Sequence, residues 1–326
     1  MRQYHELVRH VLETGTRKEN RTGVDTLSTF GYYYEHDMRE GFPLLTTKAV
    51  SWKNIVIEML WFLSGQTDIS ILKRHGCKFW DAWADSETGK VPSAYGSFWR
   101  QFPVEGETPA AMTINNYDDG MRHTLVTYND QIAWVLAELQ RNPMSRRMVV
   151  SAWAPGNAQT SKLPPCHCLF MFNVQNEQPP KVVHSEGTDT QDPEAIKRLC
   201  LHLTQRSADV GLGVAYNIAS YALLMHLFSR FSGIEPGVFA HTLVDAHIYT
   251  AKPDGSMAEY DHVPALKEQL TREPHPLPRL IISDQIKALS DIEVLMAPTV
   301  TTEEIMKHFV LEGYNPWPAL NMKVAV

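Results

Sequence analysis

Residues 200–249 read CLHLTQRSADVGLGVAYNIASYALLMHLFSRFSGIEPGVFAHTLVDAHIY, and this segment determines which fold class the sequence predicts. Residues 200–207 are typical of a strand, and so are residues 238–249. Between them, residues 217–231 form a long apolar run that stops at a serine and a glycine, which predicts a buried helix. A strand, a helix and a second strand in succession favour an α/β domain.

The segments around this unit predict the same class. Residues 3–14 place apolar side chains on one helical stripe, and residues 54–63 form a second, very apolar helix. Residues 147–153 and 168–174 are rich in β-branched and aromatic side chains, as strands are. Strands and helices are mixed without strict alternation, so a mixed α/β (α+β) domain fits better than a doubly wound parallel sheet.

No internal repeat or long linker divides the chain, which predicts one domain over residues 1–326. Two stretches near residues 104–122 and 175–194 are rich in Gly, Pro, Asn and Asp. They are interpreted as surface insertions.

The composition is that of an ordinary globular protein, with 44% hydrophobic and 21% charged residues among 326. Disordered, collagen-like and disulfide-scaffold classes are therefore excluded. The net charge of −7 argues against a long nucleic-acid partner. Four cysteines, no signal peptide and no membrane-spanning apolar run predict a cytoplasmic protein.

Cys166 is the first candidate for chemistry, because the two prolines before it hold the chain stiffly just ahead of a predicted strand. Such a thiol could be a nucleophile if a nearby cation lowers its pKa. The alternative is a buried structural cysteine. A zinc site is disfavoured, because the spacing of Cys166 and Cys168 is not that of a metal motif.

Charged and amide side chains form the next set of candidates. Arginines at three places in the chain could converge on a phosphate, although a lone arginine more often forms an ordinary surface ion pair. Glu58 lies in an apolar run, so its pKa should be raised if it is buried, unless it occupies the one wet face of its helix. Asn217 could cap a helix, or its amide could contact the edge of a base. Aromatic side chains cluster at residues 79–83 and 95–99, where they could stack on a heterocycle or simply fill the core.

Taken together, these segments resemble the thymidylate synthase family, which includes the pyrimidine-nucleotide hydroxymethylases. The resemblance runs from the first helix to the last residue. Its motifs, in chain order, are Arg21-Thr22-Gly23, residues 42–48 (FPLLTTK), residues 58–63 (EMLWFL), residues 80–83 (WDAW), Ser145-Arg146-Arg147, Pro165-Cys166-His167, residues 205–209 (QRSAD), residues 217–222 (NIASYA) and residues 245–249 (DAHIY). The resemblance implies the thymidylate synthase fold, a mixed twisted β-sheet with helices, and an obligate homodimer joined through sheet faces.

The resemblance also implies roles in nucleotide binding and catalysis. Cys166 would attack C6 of the pyrimidine, Glu58 would manage protons near O4, and Tyr95 would assist removal of the C5 proton. Arg206, Asp209 and Asn217 complete the implied catalytic set. The implied dUMP-binding residues are Arg21, Arg206, Ser207, Asn217, His247 and Tyr249, with Arg146 and Arg147 of the partner subunit on the phosphate.

The implied cosubstrate is 5,10-methylenetetrahydrofolate, and no metal is implied. Asp209 would bind the pterin and Lys48 would meet the glutamate tail, while residues 324–326 would close over the site. The full implied folate set is Lys48, Phe79, Trp80, Trp83, Asp209, Leu212, Gly213, Tyr216 and Ala325.

Two questions of specificity follow from the resemblance. Asn217 favours uracil, because an amide offers one donor and one acceptor to O4 and N3–H, whereas related cytidylate enzymes carry Asp there. Trp80 and the C-terminal residues favour dTMP as the product. Departures from the family pattern, such as Ala215, Tyr216 and Ala251-Lys252, keep dUMP 5-hydroxymethylation open, and a cytidylate-modifying activity is the third alternative.

Overall fold

The computed structural model describes residues 1–104, 111–113, 127–158, 161–177 and 196–325. Within these ranges the α-helices are α1 (Arg2–Thr14), α2 (Trp52–Leu63), α3 (Ser70–Arg74), α4 (Tyr95–Gln101), α5 (Gln131–Arg141), α6 (Pro155–Ala158), α7 (Gly213–Ser232), α8 (Val263–Thr271), α9 (Leu289–Leu295) and α10 (Thr302–Met306). The strands are β1 (Thr16–Lys18), β2 (Asp25–Asp37), β3 (Phe102–Val104), β4 (Ala111–Thr113), β5 (Thr127–Asn129), β6 (Val149–Ser151), β7 (His167–Glu177), β8 (Ile196–Gln205), β9 (Ala208–Asp209), β10 (Glu235–Thr250), β11 (Arg279–Ile282) and β12 (Phe309–Glu312).

A mixed sheet organises the molecule, with strand order β1-β2-β10-β8-β7-β6 and β9 paired to β10. Strand β10 runs parallel to β8 and β9 and antiparallel to β2. The β6–β7 and β7–β8 pairs are antiparallel as well. This arrangement confirms the predicted mixed α/β class.

Helix α7 is the crossover that makes the parallel β8–β10 pairing possible. Its side chains are apolar on nearly all sides and buried, as expected for a helix packed between a sheet and other helices. It ends at Gly233, whose φ of 73° is the left-handed conformation that glycine adopts at helix ends. Because the helix begins at Gly213, Asn217 lies within it, and the interpretation of Asn217 as a helix cap is wrong.

The strand that begins as β8 is interrupted at Arg206 and Ser207 and resumes as β9, which pairs with the same neighbour, β10. The backbone at the interruption remains bonded on both sides. The Arg206 N–H donates to the Cys166 carbonyl, and the Asp245 N–H donates to the Arg206 carbonyl. At this break the side chains therefore no longer alternate between the two faces of the sheet, while the main chain stays hydrogen-bonded on both sides.

The other predicted segments correspond to observed elements with shifted ends. The helix predicted at residues 54–63 begins two residues earlier, at Trp52, and the strand predicted at residues 147–153 is shorter, at Val149–Ser151. Strand β2 is not indicated by the sequence patterns. Of the two predicted insertions, residues 104, 111–113 and 175–177 belong to strands, and the remainder lies outside the described residues.

One face of the sheet is covered by helices and the other is open to solvent. Tyr34, Leu203 and Leu243 point into the covered face and are buried. On β2, the side chains of Phe30 and Tyr33 are exposed, at 90% and 54%. None of the helices within the described ranges combines the length and the apolarity that crossing a bilayer requires.

Candidate active site

Cys166 lies immediately before β7, and its side chain is only partly buried. The Arg206 Nη2 atom lies 3.6 Å from the Cys166 sulfur. The Tyr95 hydroxyl accepts hydrogen bonds from the backbone N–H groups of Cys166 and His167, at 3.0 and 3.3 Å. The main chain of the cysteine is thus held by the side chain of α4, and its sulfur faces a cation.

Opposing effects act on the Cys166 thiol. Burial raises its pKa, while the positive charges of Arg206 and Arg21 act to lower it. The net result is a pKa above the ordinary value. The arginines therefore act in the predicted direction, but in the ligand-free chain burial outweighs them.

The Arg206 guanidinium is positioned by main-chain carbonyls. Its Nε atom donates to the Pro165 carbonyl at 2.9 Å, and Nη2 donates to the Pro164 carbonyl at 2.7 Å. The Trp153 ring lies 5.7 Å from the guanidinium carbon. The two prolines thus position the arginine as well as the cysteine, because their carbonyl oxygens accept the hydrogen bonds of the Arg206 guanidinium.

Glu58 lies on α2 with its carboxyl close to the aromatic cluster. The Trp80 indole N–H donates to Glu58 Oε1 at 2.7 Å. Burial raises the pKa of Glu58 to about 7, and the bond from Trp80 opposes that shift. The predicted rise in pKa is therefore present, and a carboxyl that titrates near neutrality can both give and take a proton.

Tyr95 and His167 stack with their ring centroids 4.6 Å apart and their planes 10° from parallel. The Tyr95 ring also packs edge-on against Trp80, at 5.8 Å. Burial lowers the pKa of His167 to about 4, against a hydrogen bond with the Asn217 side chain that acts to raise it. These contacts join Cys166, Glu58 and Asn217 through a continuous set of side chains.

Asp209 is the last residue of β9, and its carboxylate accepts backbone hydrogen bonds from Gly211 at 2.9 Å and Leu212 at 3.2 Å. The Nδ1 atom of buried His262 lies 3.7 Å from its Oδ1. Burial acts to raise the pKa of Asp209, but His262 and His247 outweigh it and lower that pKa. Asp209 is therefore an ionised carboxylate, which suits an N–H-rich ring such as a pterin.

The C-terminal segment lies against His262, the residue beside Asp209. The Nε2 atom of His262 lies 2.8 Å from the Lys323 carbonyl, and Ala325 is buried. His262 also donates its backbone N–H to the Tyr249 carbonyl and packs against the Tyr249 ring. The sequence motifs did not indicate His262, because the chain departs from the family pattern at Ala251-Lys252 and this histidine lies ten residues further along.

The predicted sugar-binding residues His247 and Tyr249 lie on β10 with their rings 5.4 Å apart. Asp245 lies 3.3 Å from His247 Nδ1 through its carboxylate. Burial raises the pKa of Tyr249 to about 12, and the charges of Arg21 and Asp209 reach its hydroxyl with opposite effects. Tyr249 therefore lies within the same electrostatic environment as Cys166.

Lys48 is buried, and its ammonium donates to the Gly211 carbonyl. Burial lowers its pKa to about 8, while Asp209 acts against that shift. In this conformation the ammonium is directed inward, toward the turn that follows Asp209. Its predicted contact with a glutamate tail stays a prediction.

Four further predicted residues frame the cluster. The rings of Phe79 and Tyr216 meet edge to face at 4.9 Å, and the exposed Arg21 guanidinium lies 5.9 Å from the Trp83 ring centroid. Arg146 and Arg147 lie exposed just before β6, at the edge of the sheet. None of the contacts above involves these two arginines, which are predicted to serve the site of a partner subunit.

The described residues contain no group of three or more His, Cys, Asp or Glu side chains arranged to hold a metal ion. What the fold assembles is a thiol beside a guanidinium, two carboxyls with different pKa values and an aromatic surface. Such an arrangement suits an enzyme whose thiol attacks a flat, anionic substrate.

The whole chain matches a known family. The family model described as Thymidylate synthase matches residues 2–326, and the chain belongs to that family. The recognition made from sequence motifs is therefore confirmed. Membership makes the chain a methyltransferase-type enzyme that transfers a one-carbon unit to dUMP with methylenetetrahydrofolate as cosubstrate.

Proposed function

We propose that this chain is a dTMP-forming enzyme that transfers the one-carbon unit of 5,10-methylenetetrahydrofolate to C5 of dUMP and releases dihydrofolate. The observation that supports this product most directly is the placement of Trp80. Its indole is buried, bonded to Glu58 and packed on Tyr95. A fixed ring beside the reacting centre keeps a stacked cosubstrate close enough to return a hydride and excludes competing water.

In this proposal Cys166 Sγ forms a bond to C6 of the base, and C5 becomes the carbon nucleophile. Glu58 exchanges a proton near O4, because its pKa is close to the working pH. Tyr95, which is hydrogen-bonded to the Cys166 backbone, is proposed to assist removal of the C5 proton. The cosubstrate supplies the methylene unit and, for dTMP, the hydride.

The residues proposed for the folate fit its chemistry. Asp209 presents an ionised carboxylate with one oxygen already fixed by backbone donors. Trp80 and Trp83 offer ring faces nearby, and the C-terminal segment is tied to His262 beside them. Leu212, Gly213 and Tyr216 lie at the start of α7, directly after Asp209.

A second product is favoured by a separate observation. The edge-to-face contact of Phe79 with Tyr216 occupies the region proposed for the aromatic ring of the folate. If this contact holds the cosubstrate away from the exocyclic methylene, water adds there instead. The products would then be 5-hydroxymethyl-dUMP and tetrahydrofolate.

The test is to incubate the enzyme with dUMP and methylenetetrahydrofolate, follow the absorbance of dihydrofolate and determine the mass of the nucleotide product. A dTMP mass with equimolar dihydrofolate supports the proposal. A product heavier by one oxygen, without dihydrofolate, supports hydroxymethylation. Turnover of dCMP in preference to dUMP would favour the cytidylate alternative and contradict the argument from Asn217.

The nucleophile is tested with two serine variants. We expect Cys166→Ser to abolish turnover while nucleotide still binds, because a serine hydroxyl is a far weaker nucleophile than a thiol. Cys168→Ser changes a half-buried cysteine two residues away and should leave turnover near the wild-type level. Full activity in Cys166→Ser would remove the proposed mechanism.

We also propose a homodimer and a cytoplasmic location. The dimer is supported by the open sheet face with exposed Phe30 and Tyr33, and by two exposed arginines at the sheet edge. The location is supported by the composition and the small number of cysteines.

A further inference from the structure

A buried chain of hydrogen bonds runs along the covered face of the sheet, from β2 to the proposed base-reading residue. Its members, here called the relay, are Tyr34, His241, Gln205 and Asn217. The Tyr34 hydroxyl lies 2.7 Å from His241 Nδ1. His241 Nε2 lies 3.0 Å from Gln205 Oε1, and Gln205 Nε2 lies 3.1 Å from Asn217 Oδ1.

The sheet register explains why these side chains meet. Tyr34 on β2 and His241 on β10 are direct cross-strand partners, and their rings lie 5.3 Å apart. Gln205 is the last residue of β8, and it points toward the first turns of α7, where Asn217 lies. Tyr34, His241 and Gln205 are all buried. Buried polar groups of this kind are costly unless each is paired, so their orientations are tightly specified.

The orientation of the Gln205 amide follows from a main-chain group. Gln205 Nε2 lies 3.0 Å from the Ser207 carbonyl oxygen, which can only accept a hydrogen bond. The NH₂ end of the Gln205 amide must therefore point to Ser207 and Asn217. Its carbonyl oxygen must then point to His241.

The protonation of His241 follows in turn. Burial holds the pKa of His241 well below its ordinary value, so the ring is neutral and carries one N–H. Because Gln205 Oε1 can only accept, that hydrogen is on Nε2. The Nδ1 atom is then an acceptor, and the Tyr34 hydroxyl donates to it.

The orientation of the Asn217 amide follows from that of Gln205. Gln205 has a second amide hydrogen after Ser207 is satisfied, and this hydrogen is donated to Asn217 Oδ1. If the Asn217 amide rotated by half a turn, its NH₂ group would face the NH₂ group of Gln205. His167 also contacts Asn217, but a neutral imidazole can present either a donor or an acceptor and does not impose one orientation.

We propose that Tyr34 and His241 are positioning residues for base specificity. They hold the carbonyl end of the Gln205 amide while Ser207 holds its NH₂ end, and Gln205 in turn keeps the Asn217 amide in the single orientation that complements uracil. The inference rests on the proposed function of Asn217 as the reader of dUMP. Uracil offers an acceptor at O4 and a donor at N3, whereas cytosine offers a donor at N4 and an acceptor at N3. An amide that is free to rotate serves both bases, and an amide held by the relay serves one.

The first test compares binding of dUMP and dCMP by calorimetry. Tyr34→Phe removes only the hydroxyl that donates to His241 Nδ1, and His241→Phe removes the ring nitrogens altogether. We expect each variant to lower the preference for dUMP over dCMP by about tenfold or more, the usual effect of one unpaired buried group. Tyr32→Phe is the matched control, because Tyr32 lies on the same strand outside the relay, and its preference should be unchanged.

A second measurement addresses the relay without any nucleotide. Nitrogen-15 NMR of the free protein should show His241 with a protonated Nε2 and an unprotonated Nδ1, assigned by comparison with His241→Phe. Tyr34→Phe should change this tautomer ratio. An Nδ1-protonated ring in the wild type would overturn the relay, as would an unchanged base preference in both relay variants. If the wild type binds neither nucleotide, both the proposed function and the role of Asn217 in reading the base are contradicted. The tautomer measurement shows separately whether the relay exists.

Discussion

Burial and charge have opposite effects on single residues of this site. At Cys166, burial raises the pKa against Arg206 and Arg21, so the ligand-free chain holds the thiol form near neutral pH. At Asp209, neighbouring histidines overcome burial and keep the carboxylate ionised. At Glu58 burial dominates. The two carboxyls are therefore suited to different tasks, one to holding a ligand and one to moving protons.

The raised pKa of Glu58 predicts how the stability of the fold depends on pH. Its pKa of about 7 in the folded chain exceeds the value of 4.5 expected without burial, so the folded state binds a proton that the unfolded state has released between those pH values. Stability should therefore fall as the pH rises from about 4.5 to 7, by up to about 3 kcal/mol from this one group.

Glu58→Gln should remove that slope, since Gln carries no charge at any pH and can still accept the Trp80 N–H. Urea denaturation at a fixed protein concentration and at pH 5, 6, 7 and 8 gives the measurement. The variant should match the wild type best at pH 5 and exceed it at pH 8. Glu87→Gln, at an exposed turn, serves as the control. Parallel pH curves for wild type and Glu58→Gln would contradict the raised pKa.

At the scale of single residues, sequence motifs indicated the proposed nucleophile, the arginine beside it and the two carboxyls. They did not indicate Tyr34, His241 or His262. The first two meet only through the register of β2 against β10, and His262 meets Asp209 only through a turn after β10. Contacts of this kind depend on tertiary structure, which local patterns do not contain.

At the scale of elements, the contact between α2 and α4 positions two proposed catalytic side chains, Glu58 and Tyr95. Gly96 makes this contact possible, because a Cβ atom there would lie 2.4 Å from the Phe62 carbonyl oxygen and 2.9 Å from its Cα. Both obstacles are backbone atoms, so neither can move aside by changing a rotamer. Tyr95 would be displaced along with α4.

Gly96→Ala is therefore expected to destabilise the fold by about 1–3 kcal/mol, the usual cost of overpacking. It should also lower kcat, because the Tyr95 hydroxyl would leave the Cys166 backbone. Gly156→Ala is the matched control, since a Cβ atom there has no neighbour within 4 Å. Thermal denaturation and steady-state kinetics of the two variants provide the comparison, and equal melting temperatures would show that the interface yields easily.

Element prediction succeeded where one pattern dominated the segment. Helices α2 and α7 and strands β7, β8 and β10 were indicated by long apolar or β-branched runs. Strand β2 was missed because its thirteen residues include Gly31 and a polar end, and its exposed positions carry aromatic side chains. The start of α7 was placed four residues late, because Gly213 resembles part of a turn until its tertiary contacts are known.

At the scale of the whole molecule, the proposed dimer assigns Arg146 and Arg147 to the neighbouring subunit's site. The protein should elute at roughly 74 kDa, twice the 37.0 kDa of the chain. A monomer would leave Phe30 and Tyr33 exposed on an open sheet and would leave these arginines away from the thiol.

Co-expression of two inactive variants tests this assignment. Cys166→Ser retains its arginines, and the double variant Arg146→Ala with Arg147→Ala retains its cysteine. If the arginines act across the interface, each mixed dimer contains one intact site, and an equal mixture should recover about a quarter of wild-type activity. If they act within one chain, no mixed dimer has an intact site and activity should stay at background.

The neutral partners of Arg206 have a chemical consequence for labelling. Its donors reach two prolyl carbonyls and a sulfur, and within the described ranges none of the ion pairs found involves this guanidinium. The thiol therefore experiences an uncompensated positive charge. A negatively charged methanethiosulfonate should modify Cys166 faster than a positively charged one of the same size, and added salt should narrow the difference. The rate at which small reagents modify this sulfur is thus governed by the sign of the charge they carry as well as by their intrinsic reactivity.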